Sequence, residues 1–166
     1  MEPAIKTLLS IGAVVLTGLS AGLFFAWSVS VIPGTQRIGD INYLETMQSI
    51  NRAILNPAFF IVFFGSLILL IAASAFEFNH GMTAFWLMLS ATFVYLIGTI
   101  CVTGLGNVPL NDQLDVLKLS QLSAIEKEAF RNLYEKKWNY LHQIRTISAV
   151  ISFILATLSI LFQTNK

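Results

Sequence analysis

Long runs without a charged side chain set the pattern of this sequence. There are four of them, and they cover Thr7–Gln36, Ala53–Phe76, Phe78–Asn111 and Thr146–Asn165. A helix needs about 20 mainly apolar residues to cross the hydrocarbon part of a bilayer, and each run meets that length. The pattern therefore predicts four transmembrane helices, at about residues 6–32, 57–76, 83–103 and 145–162.

The composition supports this class of protein. Hydrophobic residues make up 55% of the 166 residues and charged residues 11%, whereas about a quarter of a typical soluble domain is charged. We expect one membrane domain over residues 1–166, with an all-α fold. Its architecture is an integral membrane antiparallel four-helix bundle, multi-pass in an inner or plasma membrane. The net charge of +1 gives no reason to expect nucleic acid as a partner.

The segments that connect the spans carry helical signals. A helix start is predicted at Asn56-Pro57, because Asn accepts from free backbone N–H groups and Pro is tolerated at the first helical position. The first connection has apolar residues at helical spacing, which gives one face to a short amphipathic helix. That face consists of Tyr43, Met47, Ile50 and Ile54. Within the first span, Gly18 and Gly22 stand four apart, a spacing that suits close helix packing.

The last helix is predicted to be unusually long. Ser123 and Glu126 form a capping box at its start, and neither Pro nor Gly follows in the rest of the chain. A helix from Ala124 to about Phe162 would measure roughly 58 Å, nearly twice the hydrocarbon thickness. We therefore expect amphipathic helical loop segments on one side of the bundle and a long protruding last helix. Most of the charges on its outer half are expected to form a solvated face.

The segment Thr103–Asn111 interrupts this apolar pattern. It contains two Gly, one Pro and two Asn within nine residues. Glycines are costly in a helix and Pro109 removes a backbone donor, so the third span is predicted to end before this segment. Two interpretations remain open: a simple helix exit with a turn, or a polar floor on one side of the bundle.

One face of the last helix carries candidate chemistry. Phe130, Tyr134, Trp138, His142 and Arg145 follow one another at spacings of four, four, four and three, so they share a side. A membrane belt of aromatics with an arginine that snorkels to the interface explains this face equally well. Trp27, at the end of the first span, is likewise expected to be an interfacial anchor.

The alternative interpretation rests on convergence. With four spans, the two long connections lie on the same side of the membrane. Polar groups at the depth of a bundle are expensive and often functional, and little of that kind is expected at the end that holds the termini. The residues gathered at the loop end are Asn51, Arg52, Asn56, Asn107, Asn111, Trp138, His142 and Arg145.

Three motifs in order resemble the DUF1772 family, also called anthrone oxygenase-like. They are Asn51-Arg52-Ala-Ile-Leu-Asn56-Pro57, Gly106-Asn-Val-Pro-Leu-Asn111 and Trp138…Arg145-Thr146. The resemblance implies a small four-helix membrane protein. It also implies a link to the oxidation of an anthrone to an anthraquinone, in which some fungal members are implicated. Where the family pattern has Asn-His before its hydrophobic-Arg-Thr ending, this chain has His142-Gln143.

An anthrone has an acidic benzylic position, so a base and a donor that stabilises the enolate suffice for reaction with oxygen. His142 is the candidate base, and Arg145 is the candidate catalytic donor, with Asn107 and Asn111 beside it. Tyr134 and Trp138 are candidates to stack on a flat substrate. Asn51 and Asn56 complete the predicted substrate-binding set.

Neither a metal nor another cofactor is expected. The two histidines stand far apart, the spans hold few carboxylates and Cys101 is the sole cysteine, which does not suit a metal or haem site. Membrane lipid and a small lipophilic ligand are the expected partners, and self-association into an oligomer is compatible with this class of protein.

Two hypotheses of function remain. The first is a membrane oxidoreductase that acts on a flat lipophilic substrate without a cofactor. The second is a non-catalytic membrane protein that binds a lipid, a quinone-like ligand or a partner helix. Both predict that Arg145 joins Asn51 or Asn56, and Asn107 or Asn111, in one polar cluster, because amides solvate a charge at the membrane boundary.

Overall fold

The computed structural model describes residues 2–78 and 81–163, and all regular structure in these ranges is helical. Helix α1 (Glu2–Ala26) continues through a π-helical segment (Trp27–Val31) into α2 (Ile32–Thr35). Helices α3 (Asp40–Ala53), α4 (Pro57–Glu77) and α5 (Met82–Tyr95) follow. Two π-helical segments (Leu96–Cys101 and Thr103–Asn107) lead from α5 into α6 (Val108–Asp115). A short 3-10 turn (Leu119–Gln121) precedes α7 (Ala124–Leu161).

Four helical rods are long and apolar enough to cross a membrane: Ala4–Thr35, Pro57–Glu77, Met82–Asp115 and Ala124–Leu161. They form a square bundle in which α1 packs against α4 and α7, and α5 packs against the same two helices. Successive rods run antiparallel. At one end of the bundle, Lys6 pairs with Glu77 at 3.3 Å and Gln163 donates to Ser10 at 2.7 Å. The predicted all-α antiparallel membrane bundle is therefore confirmed.

The bundle interior is lined by small and hydroxylated residues. Tyr95 donates to the carbonyl of Phe63 at 3.1 Å and accepts from Ser20 at 2.8 Å, which links three rods at mid-depth. Two rods approach each other closely at Gly98, where an added Cβ would lie 2.4 Å from the Cβ of Ser148. The predicted role of the Gly18–Gly22 pair is only half right, because a Cβ at Gly22 would meet nothing within 4 Å.

Two predicted helix ends are wrong. The third rod does not stop before Thr103 but runs on to Asp115, and the first passes Pro33 and ends at Thr35. In both places a π-helical segment widens the helix just before the proline. Each proline then falls in the first turn of the next α-helical piece, where a missing N–H costs little. Single π turns inside helices are frequently found at functional sites.

The local signals of the connections are confirmed. The Asn56 side chain accepts from Phe59 N at 3.0 Å at the start of α4, and the Ser123–Glu126 capping box opens a helix of 38 residues. In α3, Tyr43 and Met47 are buried. The amphipathic face of α3 therefore packs onto the bundle.

Arg131 is an exception to the solvated face that was predicted for most charges of the outer half. Its side chain is 10% exposed, pairs with Asp40 and Glu135 at 2.9 Å each, and donates to the carbonyl of Ile38 at 2.6 Å. It also lies over the ring of Tyr43, 4.5 Å from the centroid. Burial raises the pKa of the Tyr43 phenol above its ordinary value. Arg131 therefore fixes the start of α3 to α7.

The end of the bundle that holds the termini is more polar than expected. Lys6 is 7% exposed and Glu77 fully buried, and the two form an ion pair between α1 and α4. The expectation of little polar chemistry at that end is therefore wrong. The pattern of apolar runs does not predict this ion pair, because Lys6 and Glu77 flank different runs and their proximity depends on how the helices pack.

Candidate functional site

A cavity of about 210 Å³ lies at the loop end of the bundle. The first rod contributes Phe24 and Trp27 to its wall, α3 contributes Asn51, and α7 contributes Trp138 together with the two residues His142 and Arg145. The start of α4, the π-helical segment that contains Thr103 and α6 itself close the remaining sides. The volume is below the range of about 300–1,000 Å³ that is usual for ligand pockets, so the cavity suits a small ligand.

Five rings line this cavity, those of Phe24, Trp27, Phe59, Trp138 and His142. The rings of Trp138 and His142, one turn apart on α7, are stacked with centroids 5.1 Å apart and planes 9° apart. Trp27 approaches Trp138 at 5.8 Å, and Phe24 meets His142 edge-on at 5.9 Å. Trp27 is therefore a wall of the cavity, not the interfacial anchor that was predicted. Flat faces of this kind favour a planar ligand.

Arg145 brings an uncompensated positive charge to the cavity. The residue is 7% exposed, and no carboxylate in residues 2–78 and 81–163 forms an ion pair with it. Its guanidinium lies 5.0 Å from the Phe24 ring centroid and 5.3 Å from that of Trp138. Its Nε atom is buried without a hydrogen-bond partner. Because a buried charge without a partner is costly, this site favours a ligand that carries negative charge.

Two hydrogen bonds hold Arg145 in place. Nη1 donates to the hydroxyl of Thr103 at 3.3 Å, and Nη2 lies 3.0 Å from His142 Nδ1. A guanidinium only donates, so Nδ1 accepts and the proton of the neutral imidazole is assigned to Nε2. That nitrogen lies 3.1 Å from the carbonyl oxygen of Phe24 and 3.1 Å from Ser28 Oγ. Both ring nitrogens of His142 are therefore engaged.

A second set of hydrogen bonds links side chains at the cavity wall. Trp138 Nε1 donates to Asn111 Oδ1 at 2.9 Å, and the hydroxyl of Tyr134 donates to the same oxygen at 3.1 Å. Asn51 Nδ2 donates to the Tyr134 oxygen at 3.1 Å. Four side chains from three helices are therefore tied together.

The predicted site residues do not all reach the cavity. Asn51, Asn111, Trp138, His142 and Arg145 line it. Asn56 caps α4 and does not contribute to the wall. The sequence placed all of these residues at one end of the bundle. It did not show which of their side chains face the cavity.

Two further candidates support the wall from behind. Asn107 is buried, and its Nδ2 donates to the carbonyl of Trp138 at 3.3 Å. Tyr134 stacks on Phe130 with planes 18° apart and is not among the lining residues. Neither side chain is therefore placed to stack on a ligand or bind its oxygen, as was predicted for them.

The predicted cluster of Arg145 with asparagine side chains is also wrong in its connections. Among the residues that the structure describes, the hydrogen bonds of Arg145 go to Thr103 and His142. In this part of the chain, Asn51, Tyr134 and Asn111 are linked to Arg145 through Trp138, over whose ring the guanidinium lies. An aromatic face therefore takes the place that was predicted for an amide.

Several wall residues carry no sequence signal that singles them out. Phe24 and Phe59 belong to apolar runs, and Thr103 is one of several hydroxyl residues within the third span. At the rim, Arg52 and Asp115 form an exposed ion pair at 2.6 Å. In the part of the chain that the structure describes, no group of three or more His, Cys, Asp or Glu residues could hold a metal ion.

Comparison with known families gives one match. The sequence model of a family described as Anthrone oxygenase matches residues 54–155, which is more than half of the chain and includes α4 to α6 and most of α7. Neither a curated protein nor a solved structure matches the chain. The family indicated by the three motifs is therefore confirmed.

Proposed function

The chain belongs to the anthrone oxygenase family of membrane proteins, and we propose that it oxidises a flat lipophilic carbon acid of the anthrone type with O₂. The observation that carries the proposal is the buried, uncompensated charge of Arg145 in an aromatic cavity. A planar ketone would lie against the Trp27 and Trp138 side chains that line the cavity, and its enolate supplies the negative charge that the cavity lacks.

The proposed reaction balances without a further reductant. The methylene carbon of the anthrone loses two hydrogen atoms and gains one oxygen atom, so it becomes a carbonyl and the product is the quinone. The other oxygen atom of O₂ leaves as water with those two hydrogens. The electrons that the carbon loses reduce O₂ completely, so one molecule of O₂ is consumed for each quinone formed.

Arg145 has the role of stabilising the enolate oxygen. Loss of a proton from the methylene group places negative charge on the ketone oxygen, and a fixed donor in a dry site stabilises such charge far better than water does. The orphan Nε and the Nη2 atom give the guanidinium two donors for one oxygen. The carbanion character that remains on the ring carbon is what reacts with O₂.

His142 is the proposed base, through Nδ1. In the free protein this nitrogen accepts from Arg145 Nη2 at 3.0 Å. When the ketone oxygen takes the Nη2 donor, the Nδ1 lone pair is released and becomes able to accept the methylene proton. Substrate binding thereby switches the base on, and the hydrogen bonds from Nε2 to the Phe24 carbonyl and Ser28 keep the ring oriented.

The distribution of Lys and Arg residues supports one orientation of the protein in the membrane. Of the nine Lys and Arg residues that the structure describes, Lys6 lies at the end of the bundle where α1 begins, and the other eight belong to the side of the loops. By the positive-inside rule, we place the loops and the cavity in the cytoplasm, in an inner or plasma membrane. A lipophilic substrate would reach the cavity from the bilayer.

A second candidate function is binding without turnover. The observation that favours it is that both ring nitrogens of His142 are already hydrogen-bonded, so the free protein holds no available imidazole base. In that case the cavity carries an anionic or quinone-like ligand, and Arg145 provides only affinity.

Turnover separates the two candidates. The protein, purified in lipid nanodiscs, is mixed with anthrone and ¹⁸O₂, and product and oxygen are followed together. Oxygenation predicts quinone that contains one labelled oxygen atom and consumption of O₂ equal to the quinone formed. Binding without turnover predicts that anthrone is retained by the protein while quinone forms no faster than in empty nanodiscs.

A further inference from the structure

A second concave site, a groove of about 360 Å³, lies on the outside of the bundle where the third rod passes α7. Leu105 and Pro109, from the π-helical segment before α6 and from the start of α6, line one wall, and Leu141 of α7 lines the other. The two walls meet at Gly106, where an added Cβ would lie 2.8 Å from Leu141 Cδ1. The groove therefore has a closed, apolar floor.

The groove lies at the boundary between acyl chains and headgroups. Leu105 is 84% exposed and belongs to the charge-free run Phe78–Asn111, so its surroundings in a membrane are hydrocarbon. Lys137, in the same groove, precedes Arg145 by eight residues, which is about 12 Å along a helix. The charge-free run of α7 starts directly after Arg145. One end of the groove therefore faces acyl chains and the other faces the polar surface of the membrane.

The polar end of the groove carries positive charge. Lys137 is exposed, and no carboxylate in residues 2–78 and 81–163 forms an ion pair with it. Tyr140 follows three residues later on the same face of α7 and is 66% exposed. Lysine and tyrosine side chains favour the headgroup region, where the ammonium and the phenol can donate hydrogen bonds. A ligand with an anionic head and an apolar tail matches this arrangement.

We propose that this groove is a specific binding site for one anionic phospholipid. Its phosphate lies at the ammonium of Lys137 and accepts from the Tyr140 hydroxyl, and one acyl chain lies along Leu105 and Leu141. A second copy of the chain is the alternative occupant of an apolar membrane groove. A two-fold pairing through the groove would bring two Lys137 side chains together, and no Asp or Glu is among the lining residues. The charge therefore favours the lipid.

The groove and the cavity lie on two faces of the same helical segments. Thr103 lines the cavity and Leu105, two residues later, lines the groove; on α7, His142 lines the cavity and its neighbour Leu141 lines the groove. No lining residue is shared between the two sites. The lipid proposal therefore does not depend on the reaction proposed for the cavity, and its variants leave the cavity residues in place.

The test counts the lipids that stay on the protein. The protein is taken from nanodiscs of phosphatidylglycerol and phosphatidylcholine in equal amounts and released in a native mass spectrometer. We expect the wild-type protein to retain one phosphatidylglycerol in about fivefold excess over phosphatidylcholine, the factor that one lysine contributes at an anionic membrane surface. Lys137→Gln should retain the two lipids equally. Lys136→Gln is the matched control, because it removes the same charge from the adjacent exposed position, which is outside the groove.

A second measurement locates the bound lipid. Phosphatidylglycerol with a photoreactive acyl chain should label the peptides that contain Leu105 and Leu141, in the wild-type protein and in Lys136→Gln, and should label them less in Lys137→Gln. The proposal is refuted if the wild-type protein retains both lipids equally, if the two lysine variants lose the preference alike, or if the label falls on other surfaces alone. A lipid-free dimer that Leu105→Asn dissociates would assign the groove to a second copy and would also refute it.

Discussion

The Nη2 atom of Arg145 lies 3.0 Å from Nδ1 of His142, one turn earlier on α7. This contact joins the cation to the imidazole in the free protein and fixes the tautomer of the ring. In the proposed mechanism, a ligand oxygen competes with His142 Nδ1 for the N–H of Arg145, so that binding of the ligand releases the His142 ring nitrogen. The pair is therefore the element of the cavity whose state a ligand changes.

His142→Gln separates a base from a positioning residue. The glutamine amide oxygen replaces Nδ1 as an acceptor for Arg145, but glutamine cannot take a proton. If His142 is the base, affinity for anthrone is retained and kcat falls by about 10²–10⁴, as measured by stopped-flow formation of the quinone. His142→Phe removes the acceptor too, so ligand affinity should fall as well. Full activity in His142→Gln would assign the base to another group.

Because Lys6 and Glu77 form a buried ion pair, we expect the effects of substituting them on the free energy of unfolding to be strongly coupled. Lys6→Met leaves the Glu77 carboxylate buried without its cation, and breaking such a pair costs about 3–5 kcal/mol. The double variant Lys6→Met/Glu77→Met replaces both charges with apolar groups of similar length and should recover most of that loss. Unfolding in detergent measures both. Additive losses in the double variant would mean that the 3.3 Å contact contributes nothing.

Gly98 is predicted to be intolerant of any side chain. A Cβ there would lie 2.0 Å from the hydroxyl of Ser148, and overpacking of this kind costs about 1–3 kcal/mol. Gly98→Ala should therefore lower the thermal stability, and Ser148→Gly in the same chain should restore it. Gly22→Ala is the control, because nothing lies within 4 Å of its added Cβ. Equal stability of the two alanine variants would contradict the close helix approach.

The membrane orientation can be tested with single cysteines in a Cys101→Ser background. Gln121→Cys lies in the long connection, where the positive charges are concentrated, and is exposed. In intact cells an impermeant maleimide should fail to label it, whereas in inverted vesicles it should react. Labelling of intact cells would reverse the orientation and place the cavity outside the cytoplasm.

Local signals predicted the frame of this protein well. Apolar runs identify spans because lipid excludes charge over a fixed thickness, and Ser123 and Asn56 mark helix starts because their partners are three residues away. The errors at Pro33 and Pro109 have one cause. A π-helical segment rearranges the backbone hydrogen bonds before the proline, and no residue type encodes that rearrangement unambiguously.

For the site, the sequence predicted which residues lie at the same end of the bundle, but not which atoms are in contact. Periodicity brought Trp138, His142 and Arg145 to one face of α7, and the number of spans placed Asn51 and Asn111 at the same end. Which atoms meet depends on contacts between distant parts of the chain, such as that between His142 and the carbonyl of Phe24. For the same reason, the different tasks of Asn56 and Asn107 could not be told apart from that of Asn111.

The proposed function depends on the charge of Arg145, and steady-state oxidation of anthrone by matched variants tests this role most directly. Arg145→Met should lower kcat/KM by about 10²–10³, the usual effect of removing a donor to an oxyanion, and Arg145→Lys should recover little because it lacks the planar fork. Arg37→Met, which removes an exposed charge from the same end of the bundle, should match the wild-type protein. An active Arg145→Met variant with normal thermal stability would contradict the central claim.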